Sequence, residues 1–273
     1  MSARFDFHTH TTLCKHATGT MAEYVSAALE LRLSDLGFSD HLPWPGHGES
    51  AWNMAADELP GYVAEVHALR EQTPGMGIWL GVEADYVPGT ERRLRALLRT
   101  ADFDYVIGSI HFLPAEPQAS TLWGFDNPDC LDEWQRRDVD AVFRQHLRLL
   151  ADSARLGLFH VIGHCDLPKK FGHRPSADLT PEMQSAAHAF HEAGVLVELN
   201  TAGLRNPAQE IYPSQTFLRI LREAGVGITF GSDAHRPEHV GYALDDAEAW
   251  ARRAGYREAY RCVGGGRFAP VSL

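Results

Sequence analysis

The chain has 273 residues, enough for one large α/β barrel or for two ordinary domains. With 44% hydrophobic and 22% charged residues it buries a core rather than staying disordered, and no apolar stretch approaches the ~18 residues of a membrane span. Lys and Arg number 25 against 36 Asp and Glu, a net charge of −11 that repels nucleic-acid phosphates and anionic lipid.

The N-terminal stretch MSARFDFHTH has no apolar signal-peptide core and runs directly into an expected strand at 4–7. A helix is expected at 20–32, then a strand at 35–39, a helix at 57–72, a strand at 78–82 and a helix at 90–99. A strand at 105–109 precedes a long helix at 132–156. Further strands at 159–163, 195–199 and 227–230 alternate with helices at 181–193, 213–224 and 245–254. Thr180-Pro181-Glu182 reads as an N-cap before a first-turn proline, and Gly157, Gly194 and Gly225 each follow a helical run, where a left-handed residue ends a helix. Short β then α, seven times over, predicts a parallel sheet closed into a barrel, one domain over 1–273, with a doubly wound open sheet as the alternative. The connections 42–56 and 112–131 are long and rich in Pro, Gly and aromatics, as lids or substrate walls are. Cys14, Cys130, Cys165 and Cys262 form no CxxC pair, which points to a reducing, cytoplasmic setting without disulfides or a thiolate zinc site.

The unusual count is 15 histidines. The first strand runs into His8-Thr9-His10, whose alternate residues point the same way, and His16 follows in the loop. The second strand ends Ser39-Asp40-His41, the third Gly81-Val82-Glu83, the fourth Ser109-Ile110-His111, the fifth Gly163-His164 and the seventh Ser232-Asp233-Ala234-His235. In a parallel barrel these ends open on one face, where such barrels keep their active sites. His8, His10, His16, His41, Glu83, His111, His164, Asp233 and His235 make nine candidate ligands, too many for one ion and suited to two or three sharing a bridging carboxylate. Mixed imidazole and carboxylate donors suit Zn, Mn or Fe. The remaining histidines, among them His47, His146, His160, His173, His188 and His191, read as structural or solvent-facing, with His239 alone near the site.

HTHTT at 8–12, SDH at 39–41, GVEADY at 81–86, GSIHF at 108–112, GHCD at 163–166 and GSDAH at 231–235 resemble the PHP (polymerase and histidinol phosphatase) metal-dependent phosphoesterases, from the first strand to the last. GHCDLPKKFG, ELNTAGLRNPAQEIYPS and WGFD resemble the histidinol-phosphate phosphatase branch. Lys15, where an acidic residue is common, and Cys165, where proline often stands, depart from the pattern. The resemblance implies a distorted (β/α)7 TIM-like barrel with three divalent ions. His8, His10, Glu83 and Asp233 would hold the first ion, Glu83, His111 and His164 the second, and His16, His41 and His235 the third. It implies hydrolysis of L-histidinol phosphate, a small phosphomonoester of histidine biosynthesis, by a hydroxide bridging two ions, with Glu83, Asp233 and His235 as catalytic residues.

Arg205 after the sixth strand, and Lys169 or Lys170 after the fifth, are candidate phosphate ligands; Trp123, Phe125 and Asp126 are candidates for the imidazole and ammonium of the substrate. The leaving alkoxide would take its proton from an ion-bound water, Asp40 or His235. Competing readings are a phosphoesterase of nucleotides or nucleic-acid ends, an amidohydrolase, and a metal-binding module without activity. The acidic balance speaks against nucleic acid and membrane as partners, and His111 stands where amidohydrolases usually place a lysine.

Overall fold

The computed structural model describes residues 4–46, 50–115 and 121–273; His47 and the tips of both long connections lie outside them. In chain order the first elements are β1 (Phe5–Asp6), α1 (Met21–Glu30), β2 (Asp35–Phe38), α2 (Leu59–Gln72), β3 (Gly77–Asp85), α3 (Glu91–Leu98) and β4 (Tyr105–Ser109). A two-stranded ribbon, β5 (Phe112–Pro114) and β6 (Leu122–Gly124), leads to α4 (Leu131–Trp134) and α5 (Val139–Ala154). The chain continues through β7 (Val161–Ile162), α6 (Thr180–Ala193), β8 (Leu196–Asn200), α7 (Gln215–Glu223), β9 (Ile228–Gly231) and α8 (Leu244–Arg253), and ends in the hairpin β10 (Glu258–Gly264) and β11 (Arg267–Ser272). No helix among the described residues is long and apolar enough to cross a membrane.

Strands β1, β2, β3, β4, β7, β8 and β9 form one parallel sheet in that order. Its two edges meet. Phe7 N donates to Phe230 O (3.0 Å), His10 N to Ala234 O (2.9 Å) and Ala234 N to His8 O (3.2 Å), joining the first strand's continuation to the last. This seam closes the sheet into a (β/α)7 barrel and overturns the open doubly wound alternative. The distortion lies in the strands, because β1 and β7 keep only two residues each in regular pairing.

Tyr105 fills the barrel interior. Its ring lies edge-on to Phe7 (5.8 Å between centroids) and its hydroxyl donates to Phe7 O at 2.6 Å. A Cβ at Gly37 or Gly81 would fall 2.1 or 2.3 Å from the Tyr105 side chain, so these strand glycines make room for one large ring. The closing hairpin covers the end of the barrel away from the histidines, with Phe268 edge-on to both Phe7 and Tyr105 (6.3 Å each). Sequence reading missed this hairpin: its strands show no clean two-residue burial rhythm, and the left-handed Gly264-Gly265-Gly266 turn was its one signal.

Two further expectations change. The helix expected at 132–156 is broken, and α5 restarts with Asp138 capping Ala141 N (3.2 Å). Thr180 is the first residue of α6 rather than its cap, and Asp178 accepts its N–H instead (2.9 Å). Gly157, Gly194 and Gly225 all take the left-handed conformation expected of them.

His146 on α5 is buried in the core beside Phe125, with no hydrogen-bond partner for either ring nitrogen among the described residues. Burial, with the nearby His164 and His111, pushes its pKa from 6.5 to about 3. Between those two values the unfolded chain binds a proton that the native chain refuses, so stability falls as pH drops through that window. His146→Leu should therefore flatten the acid limb of melting temperature against pH, leaving the profile above neutrality unchanged. An unaltered acid limb would remove His146 as its cause.

Candidate metal centre

Each chemistry-bearing side chain follows a strand on the same barrel face. β1 runs into His8 and His10, β2 into Asp40 and His41, and β3 carries Glu83 and Asp85. β4 precedes His111, β7 His164, and β9 Asp233 and His235; Arg205 sits in the short helical turn Thr201–Arg205 after β8. Glycine before a ligand has a local cause at Gly231, where a Cβ would fall 2.6 Å from His8 and 2.7 Å from Glu198. Asp233 adopts φ 55°, a left-handed backbone costing about 1 kcal/mol or more in a residue with a side chain, here at the site itself.

The structure brings all nine sequence-predicted residues together. Glu83, 1% exposed, stands at the middle. Its Oε2 faces His41 (3.1 Å), His8 (3.3 Å) and His10 (3.6 Å), while its Oε1 faces His164 (3.0 Å) and His111 (3.3 Å). Asp233 Oδ1 lies 3.2 Å from His10 Nε2, and His235 and His16 meet through their Nε2 atoms at 2.9 Å. Compact donor groups form from His8, His10 and Asp233, from His41, Glu83 and His111, and from His10, His41 and His235. The set expected third, His16, His41 and His235, is thus interleaved with His10 rather than standing apart. Cys14 Sγ joins His16 and His235 in a further group, a neighbour that sequence reading passed over because no second cysteine accompanies it.

The hydrogen bonds show what the cluster is built to hold. His16 Nδ1 donates to Cys14 O (2.7 Å) and His235 Nδ1 to Asp233 O (3.1 Å). His8 Nδ1 is bonded to Glu198 (2.7 Å), His10 Nδ1 to Asp40 (3.3 Å) and His111 Nδ1 to Asp85 (2.8 Å). A carbonyl or carboxylate can only accept, so these bonds assign the N–H to Nδ1 and leave Nε2 with a bare lone pair in the neutral ring. Yet Nε2 faces Nε2 at 3.1 Å between His8 and His10, 3.3 Å between His111 and His164, and 2.9 Å between His16 and His235. Lone pairs aimed at each other repel unless a proton or cation lies between them. Converging lone pairs, fixed by Nδ1 bonds to carboxylates or carbonyls behind all of these rings except His164, are the donor arrangement of a divalent metal centre, and the residues fit such ions.

Burial opposes charge on His8, His10 and His111, but carboxylates outweigh it. Glu198, Glu83 and Asp233 raise His8 well above its ordinary value; Asp233 and Asp40 take His10 to about 9; Glu83 and Asp85 take His111 to about 10. His41 and His235, where burial and neighbouring imidazoles dominate, are pushed well down. Glu83 and Asp233, despite burial, are held well below the carboxylate range by the imidazoles around them. Cations entering the centre would displace the protons on the first three histidines.

The group behind the ligands was the part not read from sequence as such. Glu198, Asp85 and Asp40 are buried and accept from ligand histidines. For Asp40 this is a correction: it also bonds Thr11 and His41 N and is sealed from the cavity, so it orients His10 and cannot serve as a proton donor to substrate. Glu198→Gln should weaken metal affinity about 10- to 100-fold, measured by competition with a chelating dye. Unchanged affinity would show that the Glu198 charge does not tune His8.

A cavity of ≈ 600 Å³ opens over the centre, bordered by Trp52, Asn53, Phe112, Asp126, Lys170, Arg205, Asn206, Tyr212 and His239 among others. Both long connections supply walls, and His239 does reach the site. Arg205 Nη2 donates to Ser232 O (2.7 Å) and Asp233 O (3.1 Å), while its buried Nη1 has no partner among the described residues. Lys170 lies on the wall but is paired with Asp126 (3.0 Å). Lys169 and Trp123 do not border the cavity. Lys169 is buried between Asp166 and Glu210 (2.9 Å each), and Trp123 packs against Phe125, Trp134 and Arg137 in the core, where Phe125 is buried too. Lys15 points outward to Glu58 (2.6 Å). A second cavity of ≈ 660 Å³, at the far end of the barrel beside His160, Arg95 and Phe268, contains none of the nine residues.

Comparison with known proteins places these features in context. The model of the PHP domain matches residues 6–202. A protein of Deinococcus radiodurans named probable histidinol-phosphatase is 43% identical over 94% of this chain and 96% of its own length. The histidinol-phosphatase of Bacillus subtilis is 29% identical over 88% of this chain and 96% of its own length. A crystal structure of histidinol phosphate phosphatase from Lactococcus lactis, complexed with zinc, L-histidinol and phosphate, superposes with a TM-score of 0.78 at 19% identity, covering 98% of this chain and 99% of that one.

Proposed function

The chain belongs to the PHP-domain family, and from that membership together with the geometry of the centre we propose that it hydrolyses L-histidinol phosphate to L-histidinol and phosphate. The observation that carries the reading is Glu83, buried with each carboxylate oxygen facing a different set of imidazoles at the floor of a small-molecule cavity. The likeness to relatives that carry the histidinol-phosphatase name over nearly their full length supplies the substrate.

We assign three divalent ions to the centre, held by His8, His10, Glu83 and Asp233, by Glu83, His111 and His164, and by His16, His41 and His235. Zinc, bound in the Lactococcus lactis protein, is the first candidate. Such ions neutralise phosphoryl charge and generate a nucleophile at neutral pH. The chain's own residues do the rest. Glu198, Asp40 and Asp85 hold three ligand rings in one tautomer and orientation. Arg205, anchored through Nη2 on the carbonyls of the segment that carries Asp233, offers Nη1 to a phosphoryl oxygen. Trp52, Phe112 and the Asp126 carboxylate form the wall available to an imidazole and an ammonium group. With Asp40 sealed off, and with His235 pushed well down and its Nδ1–H given to the Asp233 carbonyl, the proton for the leaving alkoxide would come from water in the cavity.

The test is phosphate release from a panel of L-histidinol phosphate, nucleoside monophosphates and short single strands, with metal content measured on the same preparation. Turnover of L-histidinol phosphate at least about tenfold above the others in kcat/KM is expected. Equal or faster nucleotide hydrolysis would replace the substrate assignment.

A further inference from the structure

Apart from the imidazoles, two buried donors bordering the cavity have no partner among the described residues: Arg205 Nη1 and the hydroxyl of Tyr212. Tyr212 is 0% exposed, and its ring is fixed from several sides. Its backbone pairs with Asn200 on β8 through Tyr212 N to Asn200 O (2.9 Å) and Asn200 N to Tyr212 O (2.8 Å). The ring lies edge-on to that of His164 (6.4 Å, 78°), and Lys169 Nζ stands 5.1 Å from its centroid. Lys169, spent on Asp166, Glu210 and the carbonyl of Ile211, thereby holds the loop after β7 against the loop after β8.

Most buried hydroxyls in proteins are paired, because leaving one unpaired costs about 1–3 kcal/mol. Phenylalanine would fill this space without that cost. The hydroxyl lies near enough to Asp166, Asp233 and Asp126 to feel their charges, and the Asn206 side chain interacts with it weakly, but no group among the described residues meets it in full hydrogen-bond geometry. The acceptor that satisfies it therefore enters from the cavity. A guanidinium nitrogen and a phenol, both buried and both short of an acceptor at one cavity wall beside ligand histidines, form a receptor for an oxyanion.

We propose that the Tyr212 hydroxyl touches the substrate, donating a hydrogen bond to a phosphoryl oxygen alongside Arg205, a role that rests on the phosphomonoesterase reading above. Tyr212→Phe removes this one group and keeps the ring packing. In the metal-loaded protein the variant should lose about 10- to 100-fold in kcat/KM for L-histidinol phosphate. Inorganic phosphate, titrated calorimetrically, should bind it at least about tenfold more weakly. Metal content should stay the same, and the melting temperature should stay level or rise, an outcome that a merely structural hydroxyl would not give. Phosphate affinity within about twofold of the parent overturns the proposal, since a hydroxyl bonded to fixed water would behave that way. So does a variant that sheds metal or melts lower in step with its loss of rate. Should the parent fail to hydrolyse L-histidinol phosphate while Tyr212→Phe still weakens phosphate binding, the substrate assignment falls and the Tyr212 contact stands.

Discussion

Glu83→Ala will abolish phosphomonoester turnover, with a fall of about 10³-fold or more, and will strip more than one ion's worth of metal from each chain. The expectation follows from position. His10 and His41 each take part in two donor groups, but Glu83 divides its two oxygens between the halves of the cluster, placing Oε2 toward His8, His10 and His41 and Oε1 toward His111 and His164. On the proposed assignment its removal takes a ligand from two ions at once and strips one negative charge from the middle of five imidazoles. The loss of charge also raises the cost of bringing cations close together, so added metal should not restore the rate. Phosphate release and elemental analysis on the same sample test the two halves separately. A variant with parental turnover would falsify the bridging role, and a full metal complement without turnover would confine Glu83 to the chemical step.

Arg205→Ala should cost about 10²- to 10³-fold in kcat/KM while leaving metal content intact. Arg205 is not a ligand, and two of its bonds go to backbone carbonyls on the segment that carries Asp233, so the guanidinium is already ordered before substrate arrives. An ordered donor with one free nitrogen gives its full interaction to charge that grows on the phosphoryl oxygens. Lysine at this position should recover little, because a single ammonium cannot hold the carbonyls and the phosphate in one planar fork. If the loss appeared only in KM, Arg205 would bind ground state and transition state alike; if metal left with the side chain, its role would be to hold Asp233.

The barrel, the clustering of the nine candidate residues and the face on which they meet were legible because each rests on a local signal that the fold repeats. An apolar run followed by a glycine or serine and then His, Asp or Glu occurs at one strand end after another, and parallel topology carries all those ends to one face. What escaped has a different physical character. Asp85 and Glu198 differ from ordinary strand carboxylates only in which imidazole they face, a relation between residues 26 and 190 positions apart. Lys169 and Lys170 are adjacent in sequence, yet a short helical turn sends one into a buried ion pair and the other to the cavity wall. Trp123 was drawn toward the substrate by its motif, but its ring has more apolar surface to bury against Phe125 and Trp134 than the mouth offers. The terminal hairpin lacked a burial rhythm because most of its residues are left half exposed.

The seam between the first and last strands has one more implication. His8 and His10 enter from one side of it, Asp233 and His235 from the other, and the backbone bonds that join those sides run through the ligand segments themselves. Cations bound between these segments would therefore tighten the closure of the ring as they complete the cage, and a substitution that loosens the seam would cost affinity for them.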